Sequence, residues 1–152
     1  MEKVCVLTTA SEQETRAVAL KLVTLLGTGD VLALEGDLGA GKTTFAKGIA
    51  EGLAIEEEVD SPTFTIIKEY EGTLPLYHMD VYRLDGFEEL GLEEYFYGDG
   101  ICLVEWASRV EAWLPEETLW LRFSVRGDGT REIAFYAGHS RWESICKELG
   151  IG

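Results

Sequence analysis

Apolar positions along this chain switch between a two-residue and a helical period, and the switches mark out the elements. Val4-Cys5-Val6-Leu7-Thr8 reads as a first strand. Ser11-Glu12-Gln13-Glu14 has the form of a capping box, in which the serine oxygen accepts from a free helix amide three residues on. It predicts a helix with Val18, Leu22, Leu25 and Leu26 on one face, ending at Gly27. Asp30-Val31-Leu32-Ala33-Leu34-Glu35 reads as a short buried strand, after which Phe45, Ile49 and Leu53 recur at helical spacing. Residues 61–70 read as extended, with Pro62 near the entry. Glu71-Gly72 marks a turn, and residues 76–82 return as a second strand, a hairpin inserted after the helix.

The second half continues the alternation. Residues 87–96 predict one or two short helices broken near Gly91. Ile101-Cys102-Leu103-Val104 is uninterruptedly apolar, as a parallel strand covered on both faces must be. Residues 119–125 place Leu119, Leu121, Phe123 and Val125 on one side, and Arg126-Gly127-Asp128-Gly129 turns them into residues 132–137. Ser140 caps a last helix carrying Trp142, Ile145, Cys146 and Leu149. No repeat, linker or low-complexity segment interrupts the chain. The expectation is one α/β domain over residues 1–152, a mixed sheet flanked by helices.

Charge narrows the partners. The formal net charge is −15, and the arginines are scattered rather than gathered into a stripe. Such a surface repels a phosphate backbone and argues against unaided nucleic-acid binding. The clusters Glu56-Glu57-Glu58 and Glu93-Glu94 read as solvated faces, or alternatively as a dock for a basic partner. Cys5, Cys102 and Cys146 form no C-x-x-C pair and read as buried or incidental thiols in a reducing compartment. No apolar run is long enough to span a membrane, and Val4-Cys5-Val6-Leu7 is too short for an export signal. A soluble cytoplasmic protein without membrane contact is expected.

The chemistry begins between the second strand and its helix. Gly36-Asp37-Leu38-Gly39-Ala40-Gly41-Lys42-Thr43 fits G-x-x-x-x-G-K-[ST], the P-loop pattern, in the strand–loop–helix context that pattern needs. Glycines let successive amides face one concavity, and the helix start adds free N–H groups and a positive dipole end. Asp37, Leu38, Gly39, Ala40, Gly41, Lys42, Thr43 and Thr44 are therefore the expected phosphate-binding residues, with Lys42 reaching the β- and γ-phosphates. The Thr43 hydroxyl can ligate Mg²⁺. The fold expectation sharpens to a P-loop NTPase-like domain.

Hydrolysis needs a second acid and a group that positions water. Glu105 directly follows the apolar strand, where a Walker B carboxylate stands, and is the expected Mg²⁺ ligand beside Thr43; the bland alternative is a solvent-facing strand end. Trp106 follows, as a core aromatic or a functional one. Asp80 interrupts an apolar strand in His78-Met79-Asp80-Val81-Tyr82-Arg83-Leu84, and a desolvated carboxylate there wants either Arg83 or a metal. His78 reads as a hydrogen-bonding group rather than a base. Ser61-Pro62-Thr63-Phe64-Thr65 offers hydroxyls around a stiff proline and can close over a γ-phosphate, or simply begin a strand. The chain has no asparagine, hence no N-K-x-D guanine motif, and no D-x-x-G; ATP is favoured over GTP.

The ordered set of the P-loop run, Ser61-Pro62-Thr63-Phe64-Thr65, Tyr77-His78-Met79-Asp80-Val81-Tyr82-Arg83-Leu84 and Val104-Glu105-Trp106 resembles the bacterial TsaE family, most closely over residues 31–109. The resemblance implies a small ATPase that acts with TsaB and TsaD to make threonylcarbamoyladenosine in tRNA, and that meets tRNA mainly through that complex. It implies that Lys42 contacts phosphates, that Thr43 and Glu105 hold Mg²⁺, that Asp80 and Trp106 serve activity, and that Thr63 or Thr65 lies nearest the γ-phosphate. By the same resemblance Thr9, Ser11 and Arg131 are candidates for the nucleotide's other end. By that resemblance Lys42, Asp80 and Glu105 are the expected catalytic residues, with Thr63 and Trp106 in the nucleotide site. Activity is expected to be weak alone, because no in-cis arginine finger stands out. Two rivals remain, a P-loop small-molecule kinase and a nucleotide-gated binding protein without hydrolysis. Tyr95, Phe96 and Tyr97 are candidates for an exposed partner-binding face.

Overall fold

The structure is a computed structural model that describes residues 1–36, 41–60, 67–82, 91 and 93–150. Its elements run β1 (Glu2–Thr9), α1 (Glu12–Val23), β2 (Val31–Gly36), α2 (Lys42–Gly52), β3 (Ile67–Tyr70), β4 (Leu76–Asp80), α3 (Glu93–Phe96), β5 (Ile101–Glu105), β6 (Leu119–Val125), β7 (Arg131–Ala137) and α4 (Ile145–Glu148). Tight 3₁₀ turns cover Ala107–Trp113 and Ser140–Trp142.

All seven strands join one sheet in the order β1-β7-β6-β2-β5-β4-β3. The pairs β6–β2, β2–β5 and β5–β4 are parallel, and the three outer pairs are antiparallel. The mixed sheet expected from the pattern is thus four parallel strands with antiparallel margins. The hairpin expected after α2 is β3–β4, but it is no appendage, because β4 pairs with β5 along its whole length. Tyr82 falls outside β4 and residues 61–66 fall outside the described residues.

Alternation along β2 splits the core. Leu32 and Leu34 face one cluster, with Phe45 and Ile49 of α2 and Val18 and Leu22 of α1. Val31 and Ala33 face the other, with Phe96 of α3 and Ala107 and Val110 of the 3₁₀ turn. Both faces of the central strands are covered, which is why their sequences carry no polar alternation.

Ser11 caps α1 as its pattern predicts, accepting from the Glu14 amide at 3.1 Å. Three expectations differ. The single C-terminal helix is a 3₁₀ turn followed by the short α4, and His139, not Ser140, caps that turn. Phe96 is wholly buried and cannot belong to an exposed aromatic face, and Tyr95 stacks edge-on against Tyr77; Tyr97 alone of the three is exposed. The cysteines are not all free. Cys5 of β1 and Cys146 of α4 form a disulfide across 141 residues of sequence, and Cys102 remains a buried thiol pushed up to about 12 by desolvation.

Candidate nucleotide site

The site forms where β2, β4 and β5 end. In an open parallel sheet the strand ends leave a crevice, and the helix following β2 starts beside it. Gly36 closes β2 at φ +133°, with its backbone against β6; a Cβ there would stand 2.2 Å from the Phe123 carbonyl oxygen. Gly41 holds φ +109° at the start of α2, a left-handed conformation that side chains resist. Among the described residues no side chain caps that start, so the first-turn amides of the 11-residue helix suit an anion.

Lys42 opens α2 and is 5 % exposed, yet among the described residues its Nζ has no hydrogen-bond partner. It rests 4.4 Å from the centroid of the Trp106 ring. A cation over an aromatic face recovers about 0.5–2 kcal/mol, less than a buried ammonium loses by leaving water. The arrangement suits an acceptor that arrives from solution. Thr43 beside it is exposed and Thr44 partly so.

Glu105 ends β5 and is 6 % exposed, not the solvent-facing strand end of the bland alternative. Its Oε2 accepts from His78 Nε2 at 2.7 Å. Asp80 lies directly opposite Glu105 in the β4–β5 register, so both carboxylates share one face and one end of the sheet. Asp80 Oδ1 accepts from the Tyr82 amide at 3.0 Å, which folds the chain back just after β4. Arg83, the other partner considered for Asp80, lies outside the described residues.

Trp106 adopts φ 60°, ψ 37°, a conformation that costs a non-glycine residue about 1–2 kcal/mol. Its ring meets both Lys42 and the Tyr82 ring, the latter 4.8 Å away, and Arg109 lies 5.1 Å from the Tyr82 ring centroid. The Trp106 amide donates to the Leu34 carbonyl and the Ser108 amide to Glu35 Oε1, so the strained residue itself and the residue two further on are tied to β2.

A cavity of about 750 Å³ opens over the start of α2 and is lined by Gly41, Lys42, Thr43, Thr44 and Glu105. Its size is within the range of small-molecule sites. Asp80 and Trp106 do not line it; they adjoin it through Glu105 and Lys42. Asp37, Leu38, Gly39, Ala40 and Thr63, also expected at the nucleotide, lie outside the described residues. Ser11 and Arg131 reach the cavity wall, whereas Thr9 is buried behind it, its hydroxyl 2.7 Å from that of Thr15. Thr15, Arg16 and Lys47 line the cavity without having been singled out. Lys47 stands one helical turn beyond Thr43, so the period of α2 carried that signal. Arg16 had none, since only the packing of α1 on α2, with its 3.0 Å ion pair to Glu51, brings it there. Among the described residues no cluster of three or more His, Cys, Asp or Glu side chains is set to hold a metal alone. That donor set fits Mg²⁺, which takes one or two carboxylates and completes its shell with phosphate and water.

The parallel sheet, the glycine-flanked helix start and the paired strand-end carboxylates define a protein of the P-loop NTPase-like α/β class. The comparisons agree and are narrower. The sequence profile described as "Threonylcarbamoyl adenosine biosynthesis protein TsaE" matches residues 9–133, and the chain belongs to this family. It is 58 % identical to the Bacillus subtilis tRNA threonylcarbamoyladenosine biosynthesis protein TsaE, over 93 % of this chain and 90 % of that one. The Treponema pallidum protein of the same name is 48 % identical over 81 % of this chain and 93 % of its own. The crystal structure of Bacillus subtilis YdiB superposes with a TM-score of 0.83 at 52 % identity, covering 96 % of this chain and 93 % of that one. No helix among the described residues is long and apolar enough to cross a membrane.

Proposed function

We propose that this chain binds ATP and Mg²⁺ over the start of α2 and hydrolyses the nucleotide as the ATPase of tRNA threonylcarbamoyladenosine synthesis, acting with TsaB and TsaD in the cytoplasm. The observation that carries the reading is the buried Lys42 ammonium with no acceptor, beside a helix start with no side-chain cap. Both lack an anion and both aim at one cavity. The family supports the pathway, since its relatives bear the name of this modification.

In this reading the free amides of α2 and Lys42 hold the phosphates, and Trp106 keeps the Lys42 side chain extended toward them. The Thr43 hydroxyl and Glu105 hold Mg²⁺, which when bound neutralises charge on the phosphate oxygens. Asp80, in register with Glu105, orients water at the same strand ends. Thr63 completes the γ-phosphate side. No arginine is assigned to the developing charge, so turnover by the isolated chain is slow and the partners raise it. With a net charge of −15, the chain meets tRNA through those partners.

The test is ATP hydrolysis with and without the TsaB–TsaD dimer. Stimulation by the dimer, and its loss in Lys42→Ala and Glu105→Gln, is expected. Full turnover by the chain alone, indifferent to the dimer, would overturn the reading.

A further inference from the structure

We infer that His78 is a positioning residue that sets which oxygen of Glu105 is offered to the divalent cation; this rests on the proposed nucleotide–Mg²⁺ reading. His78 is 1 % exposed, on the same face of the sheet as Glu105, and its Nε2 lies 2.7 Å from Glu105 Oε2. A carboxylate only accepts, so Nε2 carries the hydrogen and Oε2 is engaged. Oε1 is then the oxygen left for a metal. Without the imidazole the carboxylate would turn about its last torsion, which has broad, two-fold preferences and does not hold an orientation by itself.

The other ring nitrogen argues for the same role. Nδ1 is buried and has no hydrogen-bond partner among the described residues. A histidine kept only for packing or for a backbone bond would satisfy this atom, because a buried polar atom left alone is costly. The ring instead leaves Nδ1 unpaired and makes its one bond to Glu105. The register explains the reach. His78 pairs with Leu103 across β4–β5, so Glu105 lies one step further along the same face, a diagonal that a long side chain spans. Histidine-to-carboxylate contacts behind a metal ligand commonly change metal affinity 10–100-fold when removed.

The experiment measures ADP affinity by calorimetry across a Mg²⁺ titration, together with thermal unfolding, for wild type, His78→Gln, His78→Asn and His78→Leu. Glutamine places an N–H near the Nε2 position; asparagine, shorter, places it near Nδ1. In wild type, Mg²⁺ tightens ADP binding, and His78→Gln should keep the same half-saturating Mg²⁺ within about threefold. His78→Asn should raise it about 10-fold, the low end of the range for such contacts, with metal-free ADP affinity unchanged. Should His78→Leu fail to fold, the two amides decide alone. Equal Mg²⁺ requirements in the two amide variants and wild type would overturn the inference while leaving the nucleotide reading intact. A wild type that ignores Mg²⁺, or does not bind ADP, would overturn both.

Discussion

The two ends of the parallel strands are built to opposite rules. At the end where β2 begins, polar groups are paired. Asp30 accepts from the Gly27 amide and takes both terminal nitrogens of Arg141 at 2.6 and 2.7 Å; that hydrogen-bonded carboxylate holds the Arg141 guanidinium above its ordinary pKa. Trp142 Nε1 donates to the Glu117 carbonyl, and Tyr77 donates to Asp99. At the end where β2 stops, Lys42 Nζ is orphaned, Trp106 is strained and the start of α2 is uncapped. Of the buried side-chain polar atoms without partners among the described residues, two belong to this end and its His78 support; the third, Tyr70 Oη, is the exception at the other end, where Tyr70 stands opposite Leu76 at the start of β4. One end is spent on stability and the other held open for a ligand.

That contrast can be broken from either side. The largest effect should come from the disulfide that ties β1 to α4. Reducing Cys5–Cys146 releases a 141-residue separation and should cost up to about 5 kcal/mol on the chain-entropy account, with nucleotide affinity unchanged at permissive temperature; denaturant melts with and without reductant check both. Next, Lys42→Ala should lower ATP turnover about 10²–10³-fold, the scale of losing one transition-state donor. Its melting temperature should not fall, because an unpaired buried ammonium goes with it. A Lys42→Ala protein that is clearly destabilised would show that this end too is structural.

Asp30→Ala should do the reverse, losing about 2–3 kcal/mol of stability by stranding Arg141 and the Gly27 amide while leaving ADP affinity intact. The smallest effect is alkaline. The bond to Asp99, then burial, pushes the Tyr77 hydroxyl up to about 12 from 10.0, so the folded chain holds this proton more tightly than the unfolded one. Its contribution is complete below about pH 10 and is lost as pH rises toward 12. Tyr77→Phe should lower stability at neutral pH, where that contribution is complete, and flatten the alkaline limb of the curve; unfolding followed across pH checks both.

The site end was the more legible in sequence, because its chemistry is local. A strand, a glycine loop and a helix start are contiguous, and Glu105 follows an apolar run that places it at a strand end; Asp80 reads as interrupting a strand over 76–82, whereas it ends β4. The paired end was not legible. Asp30 and Arg141 are 111 residues apart and meet only through the sheet order, as do Cys5 and Cys146, whose spacing gave no reason to pair them. The same limit hid the parallel pairing that builds β4 into the sheet, and the burial of Phe96, which looks exposed in a polar, tyrosine-rich neighbourhood. Single-chain periodicity reports which face of an element is apolar, and not which distant element covers it.

The sheet order also sets a timetable for making the molecule. β1 is the first strand in the chain, yet its neighbour in the sheet is β7, with Glu2 opposite Ala137. At about 5–20 residues per second, a ribosome takes roughly 7–30 s to deliver that partner, and β1 waits unpaired meanwhile. Arg131 and Gly129, at the start of β7, line the cavity over α2. The cavity over α2 is therefore among the last features to be completed on a growing chain, and a ligand that needs its whole wall meets it only after β7 has joined the sheet.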